Sequence, residues 1–227
     1  MELIKENIFL IKNKKVFTSN TYLYKNKINN ECIIIDPGCD TELIDKNIQD
    51  INLKPIAVIS THGHFDHIGS AAFLKNKFKI PFYLHEGDVK ISQSANFFLK
   101  IARLNHKIII PIPDFIIKGD FTFVAINGIN LEIFNLPGHS PGSCVIKIEN
   151  NLFSGDIIYK KGLGLGSIPK ENTEHLKLSI LKMLNIFIDK DLILPGHGES
   201  EYLGSIKKSN IDLINFLFDK NGSNNSN

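Results

Sequence analysis

The chain has 227 residues, 43% hydrophobic and 22% charged, which is enough to bury one sizeable core in a single domain. Its 26 basic and 24 acidic residues leave a net charge of +2, too little to supply a field for nucleic acid or an acidic membrane. No apolar run approaches the ~20 residues of a membrane span, the first residues carry acids where a signal sequence has an apolar core, and Cys32, Cys39 and Cys144 form no close pair; free thiols in a reducing cytoplasm are expected.

Residues 8–11, 21–24 and 32–36 read as strands between Lys/Asn turns, an antiparallel meander that ends at Asp36-Pro37-Gly38. Leu43, Ile44, Ile48 and Ile51 have the spacing of an amphipathic helix over 41–51. The buried strand 57–59 completes a βαβ unit and runs into Ser60-Thr61-His62-Gly63-His64-Phe65-Asp66-His67-Ile68-Gly69. A helix starting near Asp66 and continuing over 69–77 would set its positive N-terminal end beside that carboxylate.

Residues 78–119 carry weaker signals: a strand at 81–84, a short helix after Glu86, another near 95–104, and the apolar run 108–112. His85 and His106 fit a structural or surface role, and Phe97 and Phe98 fit core packing ahead of the alternative, the lining of a substrate channel. Strands 121–125 and 131–136 flank an Asn127-Gly128 turn, and 144–148 and 152–154 make a second hairpin. Leu176, Ile180, Leu181 and Leu184 predict a helix over 173–187, capped by Asn172 or Thr173, followed by a strand at 192–194 and a last helix over 206–218. Residues 1–219 form the expected domain and 220–227 a frayed polar tail.

Three imidazoles and a carboxylate fall within residues 62–67. They are the N and O ligands of zinc and comparable divalent ions, and four so close cannot all be core residues. Three later strands each end in one more candidate beside a glycine that allows close backbone approach: His139 in Pro137-Gly138-His139-Ser140-Pro141-Gly142-Ser143, Asp156 after Phe153-Ser154-Gly155, and His197 in Pro195-Gly196-His197-Gly198. Singly each suits a turn; in this order, after the first cluster, they point to a metal site. The glycine-rich stretch 159–169 lacks the GK[ST] ending of a phosphate loop.

With HxHxDH at 62–67, then His139, Asp156 and His197, and the Asp36-Pro37-Gly38 turn, the chain resembles the metallo-β-lactamase superfamily. Within it the likeness is to small glyoxalase II-like, hydroxyacylglutathione hydrolase-like enzymes, through THGHFDHIG, PGHSPGS, FSGD and PGHGES followed by Lys207-Lys208-Ser209-Asn210. The resemblance implies an α/β fold, a four-layer αββα sandwich with its metal groove along one edge. It implies His62, His64 and His139 on one divalent ion, Asp66, His67 and His197 on a second, and Asp156 bridging both, with Zn²⁺ expected and Fe or Mn as alternatives. Asp66 doubles as the catalytic group that orients the nucleophile. Asp36 is either a turn residue or a group that orients a ligand histidine from behind.

The implied activity is hydrolysis by a binuclear enzyme, in which hydroxide shared by the two ions attacks an S-acyl glutathione such as S-lactoylglutathione, or a related ester. The alternative on the same residues is a persulfide dioxygenase with one iron on His62, His139 and Asp156; a nuclease would want a basic face. The relatives carry a basic residue after Gly164 and an acidic one two further on, where this chain has Leu165 and Ser167. Leu165 cannot bind a substrate carboxylate, so Lys160 and Lys161 are the candidate substitutes. The helical extension that holds glutathione is reduced to about one helix. A small-molecule substrate is expected, with no nucleic-acid or membrane partner, and the oligomeric state is open.

Overall fold

The protein is described by a computed structural model over residues 1–166 and 170–218; Ser167 and the 220–227 tail lie outside the described residues. The N-terminal meander is β1 (Glu2–Lys5), β2 (Ile8–Asn13), β3 (Ser19–Lys25) and β4 (Glu31–Ile35), all antiparallel neighbours. Helix α1 (Thr41–Asp50) then crosses to β5 (Lys54–Ile59), which lies parallel to β4. Helices α2 (Phe65–Ile68) and α3 (Ala71–Phe78) lead to β6 (Phe82–His85), and a 3₁₀ turn, α4 (Val89–Gln93) and α5 (Ala95–Ile101) lead on to β7 (Phe115–Ile117). These strands form one seven-stranded sheet in chain order.

The second sheet repeats the plan. Strands β8 (Phe121–Ile126), β9 (Ile129–Asn135), β10 (Cys144–Ile148) and β11 (Asn151–Gly155) form an antiparallel meander, and α6 (Thr173–Ile186) crosses to β12 (Leu192–Pro195), parallel to β11. Strand β13 (Glu201–Tyr202) closes the edge before α7 (Leu203–Ser209) and α8 (Ile211–Phe218).

Alternation along the central strands explains the layering. Ile33, Ile35, Ala57 and Ile59 face Ile133, Ile146, Phe153 and Leu194 between the sheets. Their neighbours Ile34 and Val58 pack against Ile44, Ile48 and Leu74 of the outer helices, and Val145, Leu152 and Ile193 pack against Leu176, Ile180 and Met183. Strands buried on both faces read as continuous apolar runs, as 32–35 and 192–194 do. The result is a single-domain αββα sandwich. Among the described residues no helix is long and apolar enough to cross a membrane.

Several boundaries differ from expectation for local reasons. The helix expected from 66 to 77 is cut between α2 and α3, because the Ser70 N–H donates to the Pro37 carbonyl (3.1 Å) and so leaves the helical ladder. The last helix starts at Leu203 and breaks at Asn210, whose side chain accepts from Leu213 N–H (3.0 Å) and donates to the carbonyls of Tyr159 (3.1 Å) and Gly162 (2.9 Å). The apolar run 108–112 forms no strand, whereas β7 pairs with β6 further on. Phe97 and Phe98 are not core residues: Ala95 and Leu99 take the inward face of α5, leaving Phe97 62% exposed and Phe98 half-buried.

Candidate metal centre

Parallel strands β4, β5, β11 and β12 all end at the same edge of the sandwich, and the loops beyond them converge there. At the end of β4, Asp36 takes a left-handed backbone (φ 51°). Its carboxylate accepts from the Thr61 N–H (2.7 Å) and hydroxyl (2.7 Å) and from His67 Nδ1 (3.0 Å). Of the two readings of Asp36, the geometry fits the orienting one. With Nδ1–H committed, His67 Nε2 faces Asp66 Oδ2 (3.5 Å), Asp156 Oδ1 (3.5 Å) and His197 Nε2 (3.4 Å).

His139 is fixed in the same manner from the other sheet. Its Nδ1–H donates to the Gly164 carbonyl (3.0 Å), which turns Nε2 towards His64 Nδ1 (3.0 Å) and Asp156 Oδ2 (3.7 Å). His197 Nε2 lies 3.1 Å from Asp156 Oδ2 and 3.3 Å from Asp66 Oδ2. Gly196 must be glycine here, since a Cβ would collide with the Asp156 carboxylate and lie 2.5 Å from the His67 ring.

The sequence reading passed over Asp88, at the end of the 3₁₀ turn after β6. Its buried carboxylate accepts from Gly63 N–H (2.7 Å), Gly142 N–H (2.7 Å) and the Ser140 hydroxyl (2.6 Å), tying the loop of His62 and His64 to that of His139. An acid just after the 81–84 strand, at the edge where the histidine loops begin, was the available signal.

All seven side chains singled out from the sequence meet in one place. They offer three overlapping donor groups, each within 4.8 Å: His62, His64 and His139; His62, His67 and Asp156; Asp66, His67 and His197. Among the described residues, His62 Nε2 and Asp156 Oδ1 are buried without a hydrogen-bond partner. Leaving buried polar atoms unpaired costs about 1–3 kcal/mol each. Imidazole and carboxylate donors left facing one another are the chemistry of a divalent-ion site, and the residues fit such ions.

Electrostatics agree. Burial, then the neighbouring His139, push His64 down to about 4, and burial with His67 lowers His62 well below its usual value. Both are therefore neutral imidazoles at pH 7. Burial opposes charge on His67, but the Asp156, Asp66 and Asp36 carboxylates outweigh it and raise the imidazole well above its ordinary range. For His197, burial is likewise overcome by its hydrogen bond to Asp156, which carries it up to about 9. Although burial opposes their ionisation, His67 and His197 hold Asp66 and Asp156 well below the usual carboxylate range. The cluster attracts positive charge.

Above it opens a cavity of about 490 Å³ floored by His64, Asp66, His139, Asp156, Tyr159 and His197. The family model of the metallo-beta-lactamase superfamily matches residues 15–218. The chain belongs to the metallo-β-lactamase superfamily. Among its relatives in that superfamily, the probable metallo-hydrolase YqgX of Bacillus subtilis is 33% identical over 172 residues, covering 75% of this chain and 81% of that one. The hydroxyacylglutathione hydrolase GloC of Haemophilus influenzae is 31% identical over 185 residues, covering 78% and 84%. In structure, TTHA1623 in a di-iron-bound form is similar at a TM-score of 0.79 and 27% identity, with 89% of this chain and 98% of that one covered.

Other candidate residues lie outside this cluster. His85 caps the 3₁₀ turn through Nδ1 and contacts the Gly119 carbonyl (3.2 Å) through Nε2. His106 edges a separate recess by α1 and α3. The Cys39 thiol is pushed up to about 12 by burial and donates to the Phe65 carbonyl (3.4 Å). Lys160 is paired with Glu199 (2.8 Å) and Glu201 (3.7 Å). With Lys161 it edges a second recess of about 380 Å³ beyond Tyr159 and His197, not the main cavity.

Proposed function

We propose that this protein is a binuclear metal-dependent hydrolase of thioesters or related esters, with His62, His64 and His139 holding one ion, Asp66, His67 and His197 the other, and Asp156 shared. The observation that carries this reading is the set of three overlapping donor groups with two orphaned buried donors at its centre. Two divalent ions there supply Lewis acidity towards a carbonyl oxygen and bring the pKa of water towards neutrality.

The chain's own residues do the rest. Asp36 and the Gly164 carbonyl fix the ring orientation of His67 and His139, so Nε2 of each ring is the nitrogen an ion would meet. Asp66, on the cavity floor, accepts a hydrogen bond from the attacking water and orients it towards the substrate carbonyl. Phe17 and Phe65, edge to face at 6.2 Å, stand over this floor and limit water on that side. Lys161 and Lys160 edge the second recess, where the thiol half of the substrate would extend.

The experiment is hydrolysis of S-lactoylglutathione with and without chelator, beside GloC as a positive reference. A chelator-sensitive kcat/KM above about 10⁴ M⁻¹s⁻¹ is the expected result. His64→Ala and Asp156→Ala should each abolish turnover, and Asp156→Ala should also release metal; full activity in either removes the site assignment. The mononuclear iron alternative uses His62, His139 and Asp156 alone and leaves Asp66 and His197 without a role. Rapid oxygen uptake with glutathione persulfide would nevertheless overturn the hydrolase reading.

A further inference from the structure

We propose that the cavity over the donor cluster selects an uncharged acyl group with an apolar chain, short aliphatic or aromatic, over a charged one. This rests on the hydrolase reading and narrows its substrate class. The walls are Phe17, Phe65, Phe98, Ile101, Leu163 and Leu165, contributed by the loop before β3, the start of α2, the end of α5 and the loop after β11. Three of them are large apolar side chains held half open to solvent: Phe17 is 48% exposed, Ile101 59% and Leu165 42%.

Apolar side chains gathered exposed around one opening mark a surface that is covered in use. Here the opening leads directly to the donor cluster, so the group that covers it belongs to the molecule reacting there. No lysine or arginine lines the cavity among the described residues. Lys160 and Lys161 line a separate recess across His197, where Lys160 is already held by Glu199 and Glu201. A carboxylate at the far end of the acyl group would lose its hydration against apolar walls and gain no lysine or arginine partner there. Phe98 and Ile101 share a helix whose inward face is taken by Ala95 and Leu99, so their outward position serves the cavity rather than the core.

The volume, about 490 Å³, is that of a small-molecule site and leaves room for several methylenes beyond a carbonyl at the floor. Burying one methylene in full strengthens binding by about fourfold. A partly open wall gives less.

The test is a series of acyl thioesters on one carrier thiol, glutathione, with acetyl, butyryl, hexanoyl, D-lactoyl and succinyl groups. The expected result is a kcat/KM that rises at least tenfold from acetyl to hexanoyl, with D-lactoyl below butyryl and succinyl lowest. Leu165→Arg should reverse the order, lowering hexanoyl and raising succinyl turnover. Flat or falling values along the aliphatic series, or a preference for succinyl, overturn the proposal while leaving the hydrolase reading intact. Calorimetric binding of acetate, butyrate, hexanoate and succinate to the metal-loaded protein provides a readout independent of turnover. If no thioester is hydrolysed but hexanoate binds at least tenfold more tightly than acetate, the hydrolase reading falls and the cavity assignment stands; equal binding removes the assignment as well.

Discussion

Asp36 and Asp88 act on the cluster from behind, through ring and backbone N–H groups, and in opposite styles. Asp36 aims one imidazole, whereas Asp88 holds two loops in register by receiving Gly63 and Gly142, 25 and 54 residues away from it. In Asp88→Asn one acceptor oxygen becomes an NH₂ that meets N–H donors. We expect metal affinity to fall about 10- to 100-fold, as for other groups that orient ligands, measured by competition with a chromogenic chelator. Unchanged affinity would reduce Asp88 to a packing residue. The ligand candidates were legible because residues 62–67 concentrate more donors than any core needs. Asp88 was not, because its partners are loops distant in the chain and its own neighbourhood, Glu86-Gly87-Asp88, reads as an ordinary polar turn.

Helix α6 connects β11 to β12 and so sets where His197 arrives. It starts at Asn172, whose side-chain oxygen accepts from the His175 N–H (2.9 Å), and its Leu176 packs against the Gly138 backbone. Asn172→Ala should cost about 1 kcal/mol of stability, seen as a lower denaturation midpoint with metal content unchanged; loss of metal would mean that the cap positions the site and does more than stabilise. This cap and the apolar spacing of α6 were readable, as were the central strands with their continuous Ile, Val and Leu. Elements decided by contacts elsewhere were not. Strand β7 has three residues, too few for any period, and exists because β6 offers it a parallel edge. The breaks at Ser70 and Asn210 come from hydrogen bonds to Pro37 and to the 159–162 loop, which nothing local announces. The two phenylalanines of α5 were assigned by hydrophobicity, yet the Ala95 and Leu99 spacing already claimed the inward face.

At the scale of the whole molecule, the site joins two sheets that also share an apolar interface and hydrogen bonds at both edges, such as Tyr22 hydroxyl to Pro195 carbonyl (2.8 Å) beside the site and Asn26 side-chain amide to Asn127 carbonyl (3.0 Å) at the far edge. Ions bound at about a thousand times their Kd add about 4 kcal/mol. Chelation should therefore lower Tm by on the order of 10 °C in one transition, followed by calorimetry; loss of one sheet ahead of the other would contradict a site shared by both. Loading should also depend on pH with a definite sign. His67 and His197, the latter titrating at about 9, carry protons in the metal-free protein at neutral pH, and incoming ions must displace them. Affinity should rise with pH up to about 9, with more than one proton released per chain at pH 7 when titrations are repeated in buffers of different ionisation enthalpy. A release near zero at pH 7 would contradict this charge assignment.

His67 and His197 stand 130 residues apart in the chain and 3.4 Å apart in space. An ion held by both would fasten a loop whose closure is worth ~5 kcal/mol of chain entropy, while residues 62–67 would offer it four donors before His197 is in place. Ion choice then becomes a matter of history. Whichever metal is abundant as the first segment forms would be enclosed when His197 arrives, and its later replacement would wait for the loop to open. Protein refolded in mixed zinc and iron should differ in metal content from folded apoprotein exposed to the same mixture; identical content by elemental analysis would show that exchange outpaces enclosure.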